Sequence, residues 1–294
     1  MDVQVEAYSS AIWQIVPEKV TLEQVATGFG FTEGPVWCQD YLLFSDIPRN
    51  RIVRWHMRSE GPEVTTFRSP SGNSNGLTLD RSGRLITCEH STRRVTRTEV
   101  DGSVSVLAER YEGRRLNSPN DVVVRSDGSI YFTDPPYGLE NLNTWKELSF
   151  NGVYRFAPDG KLVLLVDDFD RPNGLAFSPD ESVLYINDTS RGHIRAFDVS
   201  PDGNLSNGHV FIDMQSSETG APDGMKVDEK GNIYCTGPGG LWVIDSNGQC
   251  LGRIMLPALP ANLAWGDTDR RTLYITARSS IYRLRLAVPG VAVF

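Results

Sequence analysis

The sequence predicts an all-β fold, a six-bladed β-propeller with four antiparallel strands in each blade. Three observations support this prediction. A pattern of a polar residue, an apolar run, a short turn and a second apolar run occurs six times along the 294 residues. Successive copies start 39 to 53 residues apart, which is the spacing of propeller blades. No window has a convincing amphipathic helical period, and short strands without helices leave only sandwiches, barrels and propellers.

Each repeat opens on a polar residue, and glycine follows it in most copies. The six opening residues are Glu33, Asn75, Asn120, Asn173, Asp223 and Asn262. Turn dipeptides separate the apolar runs: Ser82-Gly83, Asp127-Gly128 and Lys230-Gly231 early in a repeat, and Asp101-Gly102, Asp159-Gly160, Asp202-Gly203 and Asn247-Gly248 late in it. Such dipeptides accept the positive φ angles of tight hairpins, so they predict antiparallel strands joined in sequence order.

The fifth and sixth repeats show how the ring is expected to close. The fifth contains four strands, predicted at Gly224–Val227, Ile233–Thr236, Leu241–Ile244 and Cys250–Leu256. The sixth supplies only three, predicted at Leu263–Trp265, Leu273–Thr276 and Ile281–Leu286. We expect the strand-like run Val20–Gly28 to add the missing outer strand of the last blade, which makes residues 1–294 a single domain.

Composition excludes several classes of partner. The net charge is −8 and the pI about 5.1, whereas nucleic-acid binding needs clustered basic residues. No apolar run reaches the roughly 18 residues of a membrane span, and the N-terminus has no signal-peptide pattern. The four cysteines, Cys38, Cys88, Cys235 and Cys250, form no CxxC pair and are expected to be small buried residues. A cytoplasmic location is the expectation.

The six opening residues are expected to form a ring at one mouth of the central channel, because the first strand of every blade lines it. Two carboxylates and four amides would converge there, without Lys, Arg or His. Unpaired buried carboxylates repel and lose hydration, and a bound cation removes both costs. Oxygen ligands alone favour a hard ion such as Ca²⁺. The alternative is that Asn-Gly and Asp-Gly are simply turn residues.

Four segments resemble the senescence-marker protein/gluconolactonase/luciferin-regenerating enzyme family, most closely its bacterial gluconolactonases. They are FTEGPVW, NSPNDVVVRSDGSIYFTDPPYG, RPNGLAFSPDESVLYINDT and GAPDGMKVDEKGNIYCTG, and the resemblance runs from about residue 20 to the end. It implies a six-bladed propeller with one divalent cation, commonly Ca²⁺, at the channel mouth; Zn²⁺, Mn²⁺ and Mg²⁺ are the alternatives.

The resemblance also assigns residues. It places metal ligands at Glu33, Asn173 and Asp223, and makes Asn120 a substrate or metal contact. It carries no role to the other two ring members, Asn75 and Asn262, for which turn capping is a sufficient role. The sequence departs from the animal members at Ser118, where they have an arginine, and lacks their substrate-contacting glutamate near Pro135-Pro136-Tyr137.

The expected reaction is hydrolysis of a small-molecule lactone, glucono-1,5-lactone above all, to the aldonic acid. The cation would polarise the carbonyl and activate water. Asp223 is the expected general base, although a carboxylate bound to a cation is a weak base and could serve only as a ligand. His90 and Tyr137 are expected to contact substrate; the alternatives are a packing histidine and a rigid turn. Residues 135–150, with Trp145, are either a lid that excludes water or an external loop that packs one aromatic.

Two other functions stay open at this stage. A phosphotriesterase could use a similar four-oxygen Ca²⁺ site on the same fold, with apolar pocket walls. A non-catalytic binding propeller would have lost a carboxylate or filled its channel, and the sequence shows neither change.

Overall fold

The computed structural model describes residues 3–141 and 145–293. Two strands, β1 (Gln4–Ala7) and β2 (Glu23–Thr27), precede the first blade. Blade 1 contains β3 (Thr32–Cys38), β4 (Tyr41–Asp46), β5 (Arg51–Arg58) and β6 (Gly61–Arg68). Blade 2 contains β7 (Ser74–Leu79), β8 (Leu85–Glu89), β9 (Arg94–Thr98) and β10 (Val104–Ala108). A small hairpin, β11 (Arg110–Tyr111) and β12 (Arg114–Arg115), leads into blade 3.

The remaining blades continue in the same way. Blade 3 contains β13 (Val122–Val124), β14 (Ile130–Asp134), β15 (Asn151–Phe156) and β16 (Leu162–Phe169), with a short helix, α1 (Tyr137–Asn141), after β14. Blade 4 contains β17 (Pro172–Phe177), β18 (Val183–Asp188), β19 (His193–Val199) and β20 (Leu205–Asp213). Blade 5 contains β21 (Met225–Val227), β22 (Ile233–Gly237), β23 (Gly240–Ile244) and β24 (Cys250–Met255). Blade 6 contains β25 (Pro260–Gly266), β26 (Thr272–Ala277) and β27 (Ser280–Arg285).

The strand order confirms the six-bladed propeller and its closure. Within each blade consecutive strands pair antiparallel, and β2 completes blade 6 by pairing with β27 from Glu23–Arg283 to Thr27–Ser280. The ring therefore closes through hydrogen bonds between the two ends of the chain. The first strand, β1, adds a fifth strand to blade 5 by pairing with β24, which the sequence reasoning did not predict.

Aromatic and aliphatic side chains fill the spaces between blades. A tyrosine recurs in the second strand of several blades and is buried; its members are Tyr131, Tyr185, Tyr234 and Tyr274. Tyr274 stacks on Trp37 of the neighbouring blade with ring centroids 5.0 Å apart, and Tyr234 meets Trp265 edge-on at the same distance. Such aromatic pairs stabilise the packing of neighbouring blades by more than the burial of their surface area alone provides.

The glycines that follow the ring residues serve close packing. A Cβ on Gly76 would lie 2.5 Å from the Asn120 carbonyl oxygen, and one on Gly174 would lie 2.2 Å from that of Asp223. Neither glycine has a positive φ. They are present because first strands approach each other around the channel, so the turn interpretation of these dipeptides is wrong. The turn glycines, such as Gly160 with φ +86°, do have positive φ as predicted.

No helix within residues 3–141 and 145–293 is long and apolar enough to span a membrane.

Candidate functional site

A pocket of about 310 Å³ opens at one mouth of the channel and contains five of the six ring residues, all but Asn262, together with His90 and Tyr137. Its lining comprises Phe31, Glu33, Ile47, Pro48, Asn75, His90, Asn120, Tyr137, Asn173, Thr189 and Asp223. The side chains come from blades 1 to 5, so positions far apart in sequence meet as predicted. One wall is apolar and the other walls carry polar groups, the combination usual for small-molecule sites.

A larger cavity, of about 480 Å³, lies at the opposite end of the channel. Its walls are mostly apolar residues of the first strands, together with the chain end at Val291–Val293. The tail is held there by a hydrogen bond from Val291 N–H to the Val227 carbonyl. The acids and amides of the ring face the other mouth, so we assign the chemistry to the smaller pocket.

Second strands hold the ring residues in place through their backbone carbonyls. The Ser45 hydroxyl donates to the Asn75 carbonyl at 2.7 Å, and the Thr133 hydroxyl donates to that of Asn173 at 2.8 Å. Asn187 Nδ2 donates to the Asp223 carbonyl. Each donor belongs to the preceding blade, so the spacing between blades fixes where each functional side chain enters the pocket.

Three asparagines of the ring form a chain of hydrogen bonds across the pocket floor. Asn75 Nδ2 donates to Asn120 Oδ1 at 2.6 Å, and Asn120 Nδ2 donates to Asn173 Oδ1 at 2.7 Å. Asn173 Nδ2 in turn donates to Thr189 Oγ1 at 3.0 Å. Asn75 is therefore more than a turn cap: it orients Asn120, and Asn120 orients Asn173.

Glu33 and Asp223 are buried acids whose pKa values are raised. Burial, opposed by a hydrogen bond from Gly34 N–H, raises the pKa of Glu33 to about 7. Burial and then the charge of Glu33 raise the pKa of Asp223 well above its usual range. Charge repulsion of this kind disappears when a cation binds between the acids.

A third acid, Asp121, lies beneath the ring and was missed by the sequence reasoning. It is buried, and Asn262 Nδ2 donates both to Glu33 Oε2 at 3.1 Å and to Asp121 Oδ2 at 3.4 Å. Burial raises the pKa of Asp121, while Lys226 acts to lower it. Asn262 thus links two acids, which corrects its interpretation as a turn cap. The signal in the sequence was an acid at the position where four other repeats have glycine.

His90 is buried and contacts the amide chain. Its Nε2 lies 3.3 Å from both Asn75 Nδ2 and Asn120 Oδ1, and its Nδ1 has no hydrogen-bond partner among the described residues. Burial lowers the pKa of His90 to about 4, so the imidazole is neutral at physiological pH. A neutral ring with one unpaired nitrogen can donate to or accept from a substrate hydroxyl.

Tyr137 reaches the pocket because the α1 segment is anchored beneath it. Asn173 Nδ2 lies 3.4 Å from the Tyr137 hydroxyl, and burial raises the pKa of Tyr137 to about 12. Ser118 holds the segment: its Oγ donates to the Pro135 carbonyl at 2.6 Å and accepts from Gly138 N–H at 2.8 Å. Ser118 therefore positions the tyrosine.

The predicted lid falls partly outside the described residues, which exclude 142–144. Of the described part, Trp145 is 89% exposed and Leu148 is buried. The alternative of a loop that packs its tryptophan is therefore wrong for Trp145, and whether 135–150 form a lid stays a prediction.

The donor set fits a hard divalent cation. Glu33, Asp223 and the amide oxygens of Asn173 and Asn120 provide oxygen ligands, and the Asn173 oxygen has a second lone pair beyond the hydrogen bond it accepts from Asn120. In the part of the chain that the structure describes, no three His, Cys, Asp or Glu side chains form a metal-binding cluster. The amides are therefore needed to complete a ligand set.

These features define a β-propeller whose polar pocket lies at the mouth of the central channel. The chain belongs to the SMP-30/gluconolactonase/LRE-like family, whose model matches residues 31–279. It is 34% identical to a gluconolactonase of Zymomonas mobilis over 98% of this chain and 87% of that protein. A solved gluconolactonase of Xanthomonas campestris is 36% identical with a TM-score of 0.87, covering 96% of this chain and 94% of the other.

A regucalcin of Xenopus laevis is 27% identical over 86% of this chain and 85% of its own length. Together these relationships place the chain among the lactone hydrolases.

Proposed function

We propose that the protein is a metal-dependent lactonase that hydrolyses an aldonolactone, foremost glucono-1,5-lactone, to its aldonic acid. The observation that carries the proposal is the convergence of Glu33, Asn173 and Asp223, from three different blades, in one pocket of about 310 Å³. Similarity to the gluconolactonases supports the choice of substrate.

The ligands of the cation would be Glu33, Asn120, Asn173 and Asp223, with Ca²⁺ the foremost candidate. When bound, such an ion supplies Lewis-acid polarisation of the lactone carbonyl and lowers the pKa of water. Asp223, whose pKa is raised by burial and then by the charge of Glu33, would be ionised beside a bound cation and could then accept a proton.

The remaining groups bind and orient the substrate. Asn120, His90 and Tyr137 line the pocket. Asn120 would donate a hydrogen bond to the substrate, and His90 and Tyr137 would bond its ring hydroxyls. Phe31, on the apolar wall, offers a surface for the C–H face of a sugar ring. Asp223 would take the proton of the attacking water and return it to the leaving ring oxygen as the lactone opens.

The polar lining favours a lactone with several hydroxyls over a phosphotriester. Asn75, Asn120, His90, Tyr137 and Thr189 all present polar heads to the pocket. An apolar phosphotriester has no hydroxyl for His90 Nδ1, which has no hydrogen-bond partner among the described residues, and leaving such a buried atom unsatisfied costs about 1–3 kcal/mol.

The test is acid release from glucono-1,5-lactone at fixed pH, with spontaneous hydrolysis subtracted. Metal-free protein is compared with protein restored with Ca²⁺, Mn²⁺, Mg²⁺ or Zn²⁺, and paraoxon is assayed in parallel. We expect turnover of the lactone only with a restored cation. Absence of turnover with every ion, or faster hydrolysis of paraoxon, would contradict the proposal.

Asp223→Asn separates the two roles of the aspartate. If the carboxylate is the base, the variant binds the cation and loses turnover by at least about 100-fold. If it is only a ligand, cation affinity and turnover fall together.

A further inference from the structure

A second hollow, of about 570 Å³, adjoins the mouth pocket between blades 4 and 5. It is lined by the β18–β19 turn, residues 189–192, and by the connection between β20 and β21, including Gln215 and Pro222. Thr189 lines both hollows. Its Oγ1 accepts from Asn173 Nδ2 at 3.0 Å and donates to the Pro222 carbonyl at 2.7 Å. The two spaces are thus separated by one threonine, and a molecule longer than one sugar ring can occupy both.

Arg191 is available for a ligand in the second hollow. Its nearest acid is Asp188, but the guanidinium lies 3.7 Å away, beyond hydrogen-bond distance. The Asp188 carboxylate already accepts four backbone N–H groups, from Asp170, Arg171, Ser190 and Arg191, at 2.8–3.1 Å. Because that acid is satisfied without Arg191, the half-exposed guanidinium has hydrogen-bonding capacity left.

His193 adds a buried polar atom that needs a partner. Its Nε2 is buried and has no hydrogen-bond partner among the described residues. Buried polar atoms in native proteins almost always have partners, so an unpaired one at the edge of a cavity indicates a missing ligand or water. Gln215 lies beside it, with Nε2 donating to the Arg191 carbonyl at 3.2 Å.

The chemistry of the second hollow fits a neutral polyol better than a phosphate. Phosphate sites usually present several free backbone N–H groups, but those of Ser190, Arg191 and Gly192 all donate to Asp188. One guanidinium, a neutral imidazole, an amide and serine hydroxyls remain. Sugar hydroxyls both donate and accept, which suits such a mixed set.

We propose that this hollow is a second sugar subsite, so that the enzyme accepts an aldonolactone carrying a glycosyl residue. The lactone ring would occupy the mouth pocket, and the glycosyl ring would lie beyond Thr189 against Arg191, His193 and Gln215. The inference rests on the lactonase function proposed above and extends its substrate class from monosaccharide to disaccharide lactones.

The test measures the hydrolysis of three lactones by the wild type and by the variants Arg191→Ala and Gln215→Ala. The lactones are glucono-1,5-lactone, cellobiono-1,5-lactone with its glucosyl ring at O4, and melibiono-1,5-lactone with its galactosyl ring at O6. We expect at least one disaccharide lactone to be hydrolysed. The kcat/KM for that disaccharide lactone should fall about 10-fold in each variant, mainly because KM rises. A change of this size corresponds to the loss of one or two hydrogen bonds. Turnover of glucono-1,5-lactone by each variant should stay within about twofold of the wild-type value. The matched control is Arg58→Ala, which removes an exposed arginine of β5 that forms an ion pair.

Other outcomes would overturn the inference in distinguishable ways. Hydrolysis of glucono-1,5-lactone without either disaccharide lactone, or equal losses on all substrates, rejects the second subsite and leaves the lactonase function standing. 6-Phosphoglucono-1,5-lactone is assayed in parallel, and a preference for it that depends on Arg191 assigns the hollow to phosphate instead. No turnover of any lactone with any cation rejects the proposed function as well.

Discussion

Glu33 and Asp223 enter the channel mouth from blades 1 and 5, and the charge of Glu33 raises the pKa of Asp223 within a fully buried setting. Among the described residues, no Lys or Arg side chain lines this pocket. Burying two such acids destabilises the metal-free protein. A divalent cation that neutralises them removes this unfavourable free energy, which strengthens cation binding.

The metal-free protein should lose stability as pH rises from about 4 to 7. Burial raises the folded-state pKa of Glu33 and of Asp134 to about 7, and burial and then the charge of Glu33 raise that of Asp223 well above its usual range. The unfolded chain releases these protons near pH 4, so it binds fewer protons than the folded protein over this range and the free energy of unfolding falls. Urea unfolding at several pH values measures the slope.

One substitution and one ligand separate the contributions of the individual acids to the pH dependence of the free energy of unfolding. Asp134→Asn should flatten part of it, because Asp134 Oδ1 is buried without a hydrogen-bond partner among the described residues and the amide mimics the neutral acid. Saturating cation should remove the share of Glu33 and Asp223 but not that of Asp134. A free energy of unfolding that rises from pH 4 to 7 in metal-free protein would contradict the account.

Gly174→Ala should disrupt the site. The added Cβ would lie 2.2 Å from the Asp223 carbonyl oxygen, so the first strands of blades 4 and 5 must move apart. We expect a loss of about 2 kcal/mol or more in the free energy of unfolding and at least about 10-fold weaker cation binding.

Gly160→Ala is the matched control for that substitution. Its Cβ would meet open space in an external turn, and its φ of +86° costs about 1 kcal/mol. Cation affinity should be unchanged, and equal effects of both variants on cation binding would disprove the packing argument.

His90→Gln should lower kcat/KM about 10-fold while preserving the shape of the pH profile above pH 5. The reason is that the pKa of His90 is lowered to about 4, so the ring is already neutral and contributes hydrogen bonds rather than a titrating proton. Initial rates from pH 5 to 8 test this. Disappearance of an inflection between pH 6 and 7 in the variant would show that His90 titrates in the wild type.

The propeller and its closure could be predicted because each rests on a repeated signal. The alternating apolar runs fix the blades, and a three-stranded last repeat demands a strand from the other end, which β2 supplies. The strand β1 could not be predicted: Gln4–Ala7 is short and mostly exposed, and only its pairing with β24 defines it. Tertiary pairing decides such segments.

Site residues that share one position in the repeat could be predicted from the sequence. Residues whose importance depends on their burial in the folded protein could not. Glu33, Asn120, Asn173 and Asp223 share one position in the repeat, so topology alone brings them together. Asp121 lies one position later, and its importance follows from burial beside Glu33, which no single repeat reveals. The anchoring of α1 by Ser118 likewise depends on contacts between segments about 20 residues apart.

The most direct test of the account is calorimetric titration of Ca²⁺ into the metal-free protein, its Glu33→Gln and Asp223→Asn variants, and the control Asp159→Asn in an exposed turn. The account predicts one bound ion per chain in wild type and control, with Glu33→Gln weakening affinity by at least about 100-fold. The ion should also restore lactone hydrolysis in the same wild-type sample. Equal affinity in wild type and Glu33→Gln, or full lactone hydrolysis by protein that binds no cation, would contradict the central claim that these acids hold a catalytic metal.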